Sequence, residues 1–141
     1  MLARAPFRVD AAASMRPGID LPGGRLLRWA YAGHPPALRL RDGTELAAPA
    51  QGVPLGIDDE PAYAESSMRA EQRSGVLLYT DGLTEARRGG ELFGLGRVTA
   101  ALGALGDPTP DQAIGALRER VTDFASAPLR DDLCLLAARI D

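Results

Sequence analysis

The residues of this sequence best suited to chemistry are aspartates beside two apolar runs. Asp81 follows the run at residues 76–79 and precedes Gly82, while the pair Asp131-Asp132 comes just before the apolar run that begins at Leu133. Each run predicts a strand, so each aspartate is expected at the rim of a sheet. Carboxylate oxygens suit Mg²⁺ and Mn²⁺, and Gly82 would allow a sharp turn beside an ion. The pattern indicates a divalent metal site, although each pair taken alone is more typical of an ordinary turn.

The elements that must position these aspartates predict an α+β fold with a mostly antiparallel sheet. Residues 1–24 are broken by prolines and glycines and are expected to be irregular, with at most one short strand. Strand-like patterns follow at residues 25–32, 37–41, 44–48, 62–71, 76–79 and 133–140. Helices are predicted at residues 95–105 and 111–124. The second helix begins at Thr109 or Pro110 and carries an apolar stripe of Ile114, Leu117, Val121 and Phe124.

Composition restricts the classes of partner. A chain of 141 residues fits one compact domain or a piece of one. The net charge of −3 gives no basic surface of the kind that nucleic acid requires, and no apolar run approaches the length of a membrane span. Cys134 is the only cysteine, which excludes an intrachain disulfide and favours a reducing, cytoplasmic setting.

Several other residues could assist a site, and each has a plainer structural role as the alternative. His34, the only histidine, could act as a general acid, but a hydrogen bond that fixes its turn is the favoured role. Arg130 could contact a phosphate oxygen or only balance the acidic pair, and the sequence leaves this open. Glu85 is expected to pair with Arg87 or Arg88. Cys134 is expected to be a small apolar residue within the last strand.

Five motifs occur in order along the chain: Tyr31-Ala32-Gly33-His34-Pro35-Pro36, Gly52-Val53-Pro54-Leu55-Gly56, Leu78-Tyr79-Thr80-Asp81-Gly82-Leu83-Thr84-Glu85-Ala86, Phe93-Gly94 and Asp131-Asp132-Leu133. From about Gly24 to the C-terminus, this set resembles the stage II sporulation protein E family of bacterial phosphatases. That family is part of the metal-dependent, protein phosphatase 2C-like (PPM) superfamily. The resemblance implies two packed antiparallel sheets flanked by helices, a PPM-like αββα sandwich, with a site for two Mg²⁺ or Mn²⁺ ions between the sheets.

The resemblance also assigns roles to residues. Asp81 matches the aspartate of the family's Asp-Gly motif, and Asp131 matches the first aspartate of its Asp-Asp or Asp-Asn motif; both are metal ligands there. Gly82, Asp132, Arg130 and His34 are candidate supporting residues by their position, and the resemblance assigns them no role. The implied reaction is hydrolysis of phosphoserine or phosphothreonine by a water that the metal ions activate, without a covalent enzyme intermediate.

The resemblance covers only the C-terminal part of such a domain, residues 25–141. Two further motifs of the family, Gly-Asp-x-x-Asp and Gly-Asp-x-x-Gly, are absent, since Asp10 and Asp20 lack the required neighbours. The expected function is a phosphatase domain acting on a bacterial regulatory protein of sigma-factor or stress signalling, such as an anti-sigma-factor antagonist. The alternative is an N-terminally truncated, catalytically incomplete module that binds a partner protein. Exposed sheet edges also predict self-association.

Overall fold

The strands of the chain form two antiparallel sheets and a small hairpin. The computed structural model describes residues 12–21, 24–57, 62–129 and 132–140. In one sheet the order is β1 (Ala12–Leu21), β2 (Gly24–Ala32) and β4 (Ser66–Ala70), and in the other it is β3 (Leu38–Arg39), β5 (Gly75–Tyr79) and β8 (Leu135–Arg139). The hairpin consists of β6 (Arg87–Arg88) and β7 (Glu91–Leu92). The helices are α1 (Asp81–Thr84), α2 (Gly94–Leu105) and α3 (Pro110–Phe124).

Strand β5 lies between two apolar clusters. Leu77 and Tyr79 belong to the cluster that includes the buried residues of α2 and α3. Val76 and Leu78 point to the opposite face and pack against the cluster that contains Trp29 of β2. Because side chains alternate along a strand, β5 contributes to both cores. The described residues therefore form a helix–sheet–sheet arrangement, and the predicted α+β fold is confirmed.

Helix α3 shows how closely the sequence specifies this layer. Thr109 is its N-cap, and the Thr109 hydroxyl and the Gln112 side chain complete a reciprocal capping box. Leu117, Val121 and Phe124 are buried as predicted, whereas Ile114 is only half buried and the neighbouring Ala113 is buried in its place. The predicted stripe is therefore correct except at its first position.

The prediction of an irregular segment over residues 1–24 is wrong for Ala12–Leu21, which forms the ten-residue strand β1. Strand β1 pairs with β2 from Ala12↔Ala32 to Leu21↔Gly24, and the register shifts between Pro17 and Asp20. A proline is tolerated in an edge strand or at a bulge, where its missing N–H breaks no ladder bond. Residues 1–11 and 22–23 lie outside the described part, and the domain limit at residue 25 stays a prediction.

Several other strands are shorter than predicted. The 37–41 segment pairs only at Leu38–Arg39, and the segment at 44–48 contributes a single bridge between Glu45 and Leu38. The turn between them has Gly43 at φ +69°, where an added Cβ would lie 2.6 Å from the Thr99 Cα. The positive φ and the close contact with Thr99 of α2 both favour glycine at this turn. The predicted strand at 62–71 is confined to Ser66–Ala70, and the last strand begins at Leu135.

Candidate active site at one end of the sandwich

The antiparallel pairing of β5 and β8 brings the two acidic segments of the sequence to the same end of the sheet. Tyr79 at the end of β5 pairs with Leu135 at the start of β8. The next backbone bond runs from the Thr80 N–H to the carbonyl oxygen of Cys134, at 3.1 Å. The chain that leaves β5 toward Asp81 therefore lies beside the chain that enters β8 from Asp132.

The Thr80 side chain ties these two segments together. Its hydroxyl donates to the backbone oxygen of Asp132 at 2.7 Å and accepts from the backbone N–H of Cys134 at 3.0 Å. One hydroxyl thus uses both its donor and its acceptor capacity across the gap between two strand ends. Sequence reasoning assigned Thr80 no role, because a threonine before Asp-Gly also fits an ordinary turn.

Asp81 is exposed and occupies the first turn of helix α1. Its backbone oxygen accepts from the Glu85 N–H at 2.8 Å and from the Thr84 hydroxyl at 3.2 Å, so the main chain is fixed. Leu83 is fully buried and anchors the helix in the core. Among the described residues, the Asp81 carboxylate accepts no hydrogen bond, and it is therefore open to a ligand.

Gly82 lies in the single helical turn that follows β5. It is the second residue of helix α1 and is buried, and its φ is not positive. The chain therefore turns here in a helical conformation that does not require glycine, and the supporting role of Gly82 beside Asp81 stays a prediction.

The second acidic pair is only partly described. Asp131 and Arg130 lie outside the described residues, so their predicted roles stay predictions. Asp132 is exposed and contributes its backbone oxygen to the bond with Thr80. Within the described ranges, no group of three or more histidine, cysteine, aspartate or glutamate side chains could hold an ion. Asp81 has the donor chemistry that Mg²⁺ or Mn²⁺ prefers, but a complete set of ligands needs further carboxylates.

His34 lies at the same end and fixes a turn, as predicted. Its Nδ1 is 2.6 Å from the carbonyl oxygen of Pro35, and its ring stacks on Tyr31 with 6.3 Å between centroids. The Gly33 N–H donates to the Gly52 oxygen at 2.7 Å, and the Gly52 N–H donates to the Tyr31 oxygen at 3.1 Å. The Gly-His-Pro and Gly-Val-Pro-Leu-Gly motifs are therefore neighbours.

Close contact explains the glycine in the second of these motifs. A Cβ at Gly52 would lie 2.3 Å from the Tyr63 ring, which real Cβ atoms essentially never do. The Tyr31 side chain joins this loop to the strands: its hydroxyl donates to the Leu46 oxygen and accepts from the Ala37 N–H, both at 2.9 Å. Burial raises the pKa of Tyr31 above its ordinary value. This tyrosine stays neutral and joins the loop to the strands.

The Glu85 pair predicted with Arg87 or Arg88 does not form. Arg88 pairs instead with Glu91 at 3.1 Å, and Arg97 also pairs with Glu91. Both guanidinium groups lie over the Phe124 ring, at 4.6 and 4.7 Å from its centroid. Hydrogen bonds from the two arginines lower the pKa of Glu91. The hairpin that follows α1 is therefore fixed to α2 and α3.

Cys134 is exposed and precedes β8, so the prediction of an apolar position inside the strand is wrong. The physical reason is its place at the strand end, where its backbone N–H and oxygen both bond to Thr80. Its main chain helps to hold the acidic end while its side chain faces outward.

Solved structures share this fold and define its class. The chain matches the phosphatase domain of the cell fate determinant SpoIIE from Bacillus subtilis at 18% identity and TM-score 0.65, covering 92% of this chain and 57% of that one. It matches the RsbU and RsbW domains of Rv1364c from Mycobacterium tuberculosis at 25% identity and TM-score 0.67, covering 88% and 35%. It matches the SiaA-PP2C domain of Pseudomonas aeruginosa at 23% identity and TM-score 0.61, covering 84% and 52%. The fold is that of protein phosphatase 2C-like domains.

The family follows from the sequence. The family model described as Stage II sporulation protein E (SpoIIE) matches residues 18–141, and the chain belongs to this family. The chain spans between about a third and three fifths of the solved chains that it matches. A comparison with curated proteins gives no match. No helix in the described part of the chain is long and apolar enough to cross a bilayer.

Proposed function

We propose that this chain supplies the C-terminal part of a metal-dependent protein serine/threonine phosphatase site, with Asp81 and Asp131 as metal ligands. The observation that carries this proposal is the Thr80 hydroxyl, which bonds to the segment of Asp132 and Cys134. That contact holds the open carboxylate of Asp81 beside the segment that Asp131 enters. Membership of the SpoIIE family supports the same reaction class.

The residues of this chain would position and bind rather than react covalently. Asp81 presents its carboxylate from a helix anchored by Leu83, and Asp131 would present a second carboxylate across the strand ends. Bound Mg²⁺ or Mn²⁺ ions would supply an activated water and neutralise charge on the phosphoryl group. Asp132 would support the site through the bond of its backbone oxygen to Thr80, and Gly82 through its place beside Asp81 in α1. His34 would support it by fixing its own turn.

For the substrate, we propose phosphoserine or phosphothreonine on a bacterial regulatory protein in sigma-factor or stress signalling, such as an anti-sigma-factor antagonist. Family membership and the likeness to the cell fate determinant SpoIIE support this substrate class. We place the reaction in the cytoplasm, in keeping with a single cysteine that forms no intrachain disulfide.

The second candidate function is a catalytically incomplete module that binds a partner protein. One observation favours it: the Gly-Asp-x-x-Asp and Gly-Asp-x-x-Gly motifs, which carry further aspartates, do not occur in this sequence. Binding of Mn²⁺ separates the two candidates, because a partner-binding module has no need of the ion.

The test is Mn²⁺ calorimetry followed by a p-nitrophenyl phosphate assay on three proteins: the chain itself, Asp81→Asn/Asp131→Asn, and Glu119→Gln/Asp123→Asn. The last pair removes two exposed carboxylates from α3 and is the charge-matched control. We expect the site variant to bind Mn²⁺ at least about tenfold more weakly and to lose turnover, while the control is unchanged. Binding without turnover would support the metal site but not catalysis. Equal weakening in both variants, or no binding by the chain, would contradict the proposal.

A further inference from the structure

A cavity of about 480 Å³ opens between the two sheets at the end opposite Asp81. Strand β5 begins at this end with Gly75, and the β4–β5 turn at residues 71–74 forms part of the rim. The floor is apolar, with Leu27 from β2, Met68 from β4 and Val76 from β5. The volume lies within the range of pockets that hold small ligands. The phosphatase site does not involve these residues.

The rim carries an excess of positive charge in a chain whose net charge is −3. Its arginines come from β3, the turn after β3, β4 and the β4–β5 turn: Arg39, Arg41, Arg69 and Arg73. Three acidic residues also line the cavity, Asp42, Glu71 and Asp107, so its lining contains four arginines and three acids. An arginine fork suits carboxylate and phosphoryl oxygens, which it can contact with two parallel N–H bonds.

Two of the arginines are engaged within the rim. Arg73 pairs with Asp107 at 3.1 Å, and its backbone has φ +67°, a conformation that residues other than glycine rarely adopt. Arg39 Nε lies 3.7 Å from Asp42 Oδ1, which is too long for a hydrogen bond. This Nε is buried and has no hydrogen-bond partner among the described residues. Because this Nε has almost no accessible surface, a ligand in the cavity would be bound by the exposed guanidinium groups.

The other two arginines are exposed at the rim. Within residues 12–21, 24–57, 62–129 and 132–140, no carboxylate lies within ion-pair distance of Arg41 or Arg69. Ser74, half buried beside them, adds a hydroxyl to the lining. The cavity thus combines an apolar floor with two exposed arginines that form no ion pair with a described carboxylate.

We propose that this cavity binds a small organic anion, with an apolar or aromatic body on the Leu27–Met68–Val76 floor and a phosphoryl, sulfonate or carboxylate group between Arg41 and Arg69. Burial of the ligand body against the apolar floor would contribute binding free energy, and the arginines would fix the orientation of the anionic group. This binding function is separate from the phosphatase site and does not depend on it.

The probe is 8-anilinonaphthalene-1-sulfonate, titrated by fluorescence against the chain and two double variants. Arg41→Gln/Arg69→Gln removes the unengaged arginines, and Arg118→Gln/Arg120→Gln removes two exposed arginines of α3 as a charge-matched control. Circular dichroism checks that each variant is folded. A further variant, Arg41→Lys/Arg69→Lys, keeps the two positive charges but lacks the planar guanidinium groups. Three competitors are then titrated against the bound probe. Phenylphosphonate and benzoate test whether the site prefers a phosphoryl or a carboxylate group, and benzyl alcohol tests whether an uncharged aromatic molecule competes equally well.

We expect the glutamine pair at the rim to weaken probe binding at least about tenfold and the α3 pair to leave it unchanged. Displacement by phenylphosphonate or benzoate, but not by benzyl alcohol, supports the proposal and shows which head group is preferred. Amide shifts at Ser74 and Gly75 on probe addition would locate the site. Absence of binding, equal weakening in both glutamine pairs, or equal displacement by benzyl alcohol would overturn it.

Discussion

At one end of β5 the chain passes through Thr80 to the exposed carboxylate of Asp81, and at the other end Gly75 lies beside a cavity edged with arginines. The acidic end is closed by short bonds between the Thr80 hydroxyl and the segment before β8. The arginine end is held by exposed ion pairs and keeps a buried Nε without an acceptor. Both ends have side chains open to a ligand, Asp81 at one and Arg41 and Arg69 at the other, but only at the acidic end does a side-chain hydroxyl join two strand ends.

The two ends share the same core, because β5 packs into both apolar clusters between them. Strand burial therefore stabilises both ends, and their different chemistry comes from the residues that enter and leave the strands. Carboxylates placed on a rigid frame suit ions and a reacting phosphoryl group. An open cavity with an apolar floor suits binding of a whole small molecule.

The largest effect is expected for Thr80→Val, which would break the acidic end alone. The variant loses the bonds to the Asp132 oxygen and the Cys134 N–H, so unfolding in urea should require about 1–3 kcal/mol less free energy. Mn²⁺ binding should weaken, while affinity for the sulfonate probe at the opposite end should not change.

Thr84→Val is the matched control for this variant. Within the described part of the chain, its hydroxyl bonds only to the Asp81 oxygen of the same helix and joins no second segment. If the two valine variants have equal stability and equal Mn²⁺ affinity, the proposed role of Thr80 in joining the acidic segments is wrong.

An intermediate effect is expected for the pH dependence of stability near the acidic end. Burial, together with the charges of Glu45 and Tyr31, raises the pKa of Tyr79 to about 12. Between pH 10 and 12 the unfolded chain would lose this proton while the folded chain keeps it. The stabilisation is therefore complete below about pH 10 and is lost as the pH rises toward 12.

In Tyr79→Phe, the free energy of unfolding should fall by about 1–2 kcal/mol less than in the unsubstituted chain as the pH rises through this window. The sequence contains no lysine, and arginine stays protonated, so tyrosines dominate titration in this window. Urea unfolding of both proteins at several pH values from 9 to 11.5 measures the difference. Parallel curves would show that Tyr79 does not carry the effect, and the raised pKa of Tyr31 would account for a remaining slope.

The smallest effect on stability is expected at the sheet edge between the two ends. Among the described strands β8 pairs with β5 alone, and Leu136 on β8 is 53% exposed. An edge with an exposed apolar side chain favours self-association, which we propose for this chain. Leu136→Lys should change the free energy of unfolding by no more than about 0.5 kcal/mol and shift the chain toward monomer.

Light scattering at micromolar concentration measures this shift, and Leu105→Lys at the end of α2 is the control for a general loss of apolar surface. A monomer before substitution, or equal dissociation of both variants, would contradict association through the edge of β8. In that case, pairing between the β8 edges of two chains plays no part in the behaviour of either end of β5.

Much of the fold could be predicted from local patterns. The strand at 25–32, the limits of α2 and α3, and the Thr109 cap follow from periodicity and side-chain capping, which depend on near neighbours. The predicted role of His34 in its turn also follows from local chemistry. Strand β1 was missed because its pairing with β2 tolerates Pro17 at a register shift, which the period of one segment does not show.

The candidate site divides in the same way. By itself, the sequence determined the family, through ordered motifs, and identified Asp81 and the Asp131-Asp132 pair as the residues with metal-binding chemistry. Only the tertiary structure decided that Thr80 joins the Asp81 and Asp132 segments, and that arginines from the separate segments 39–41 and 69–73 line one cavity. The physical reason is that residue type fixes what a side chain can bind, whereas antiparallel pairing decides which side chains share one end of a sheet.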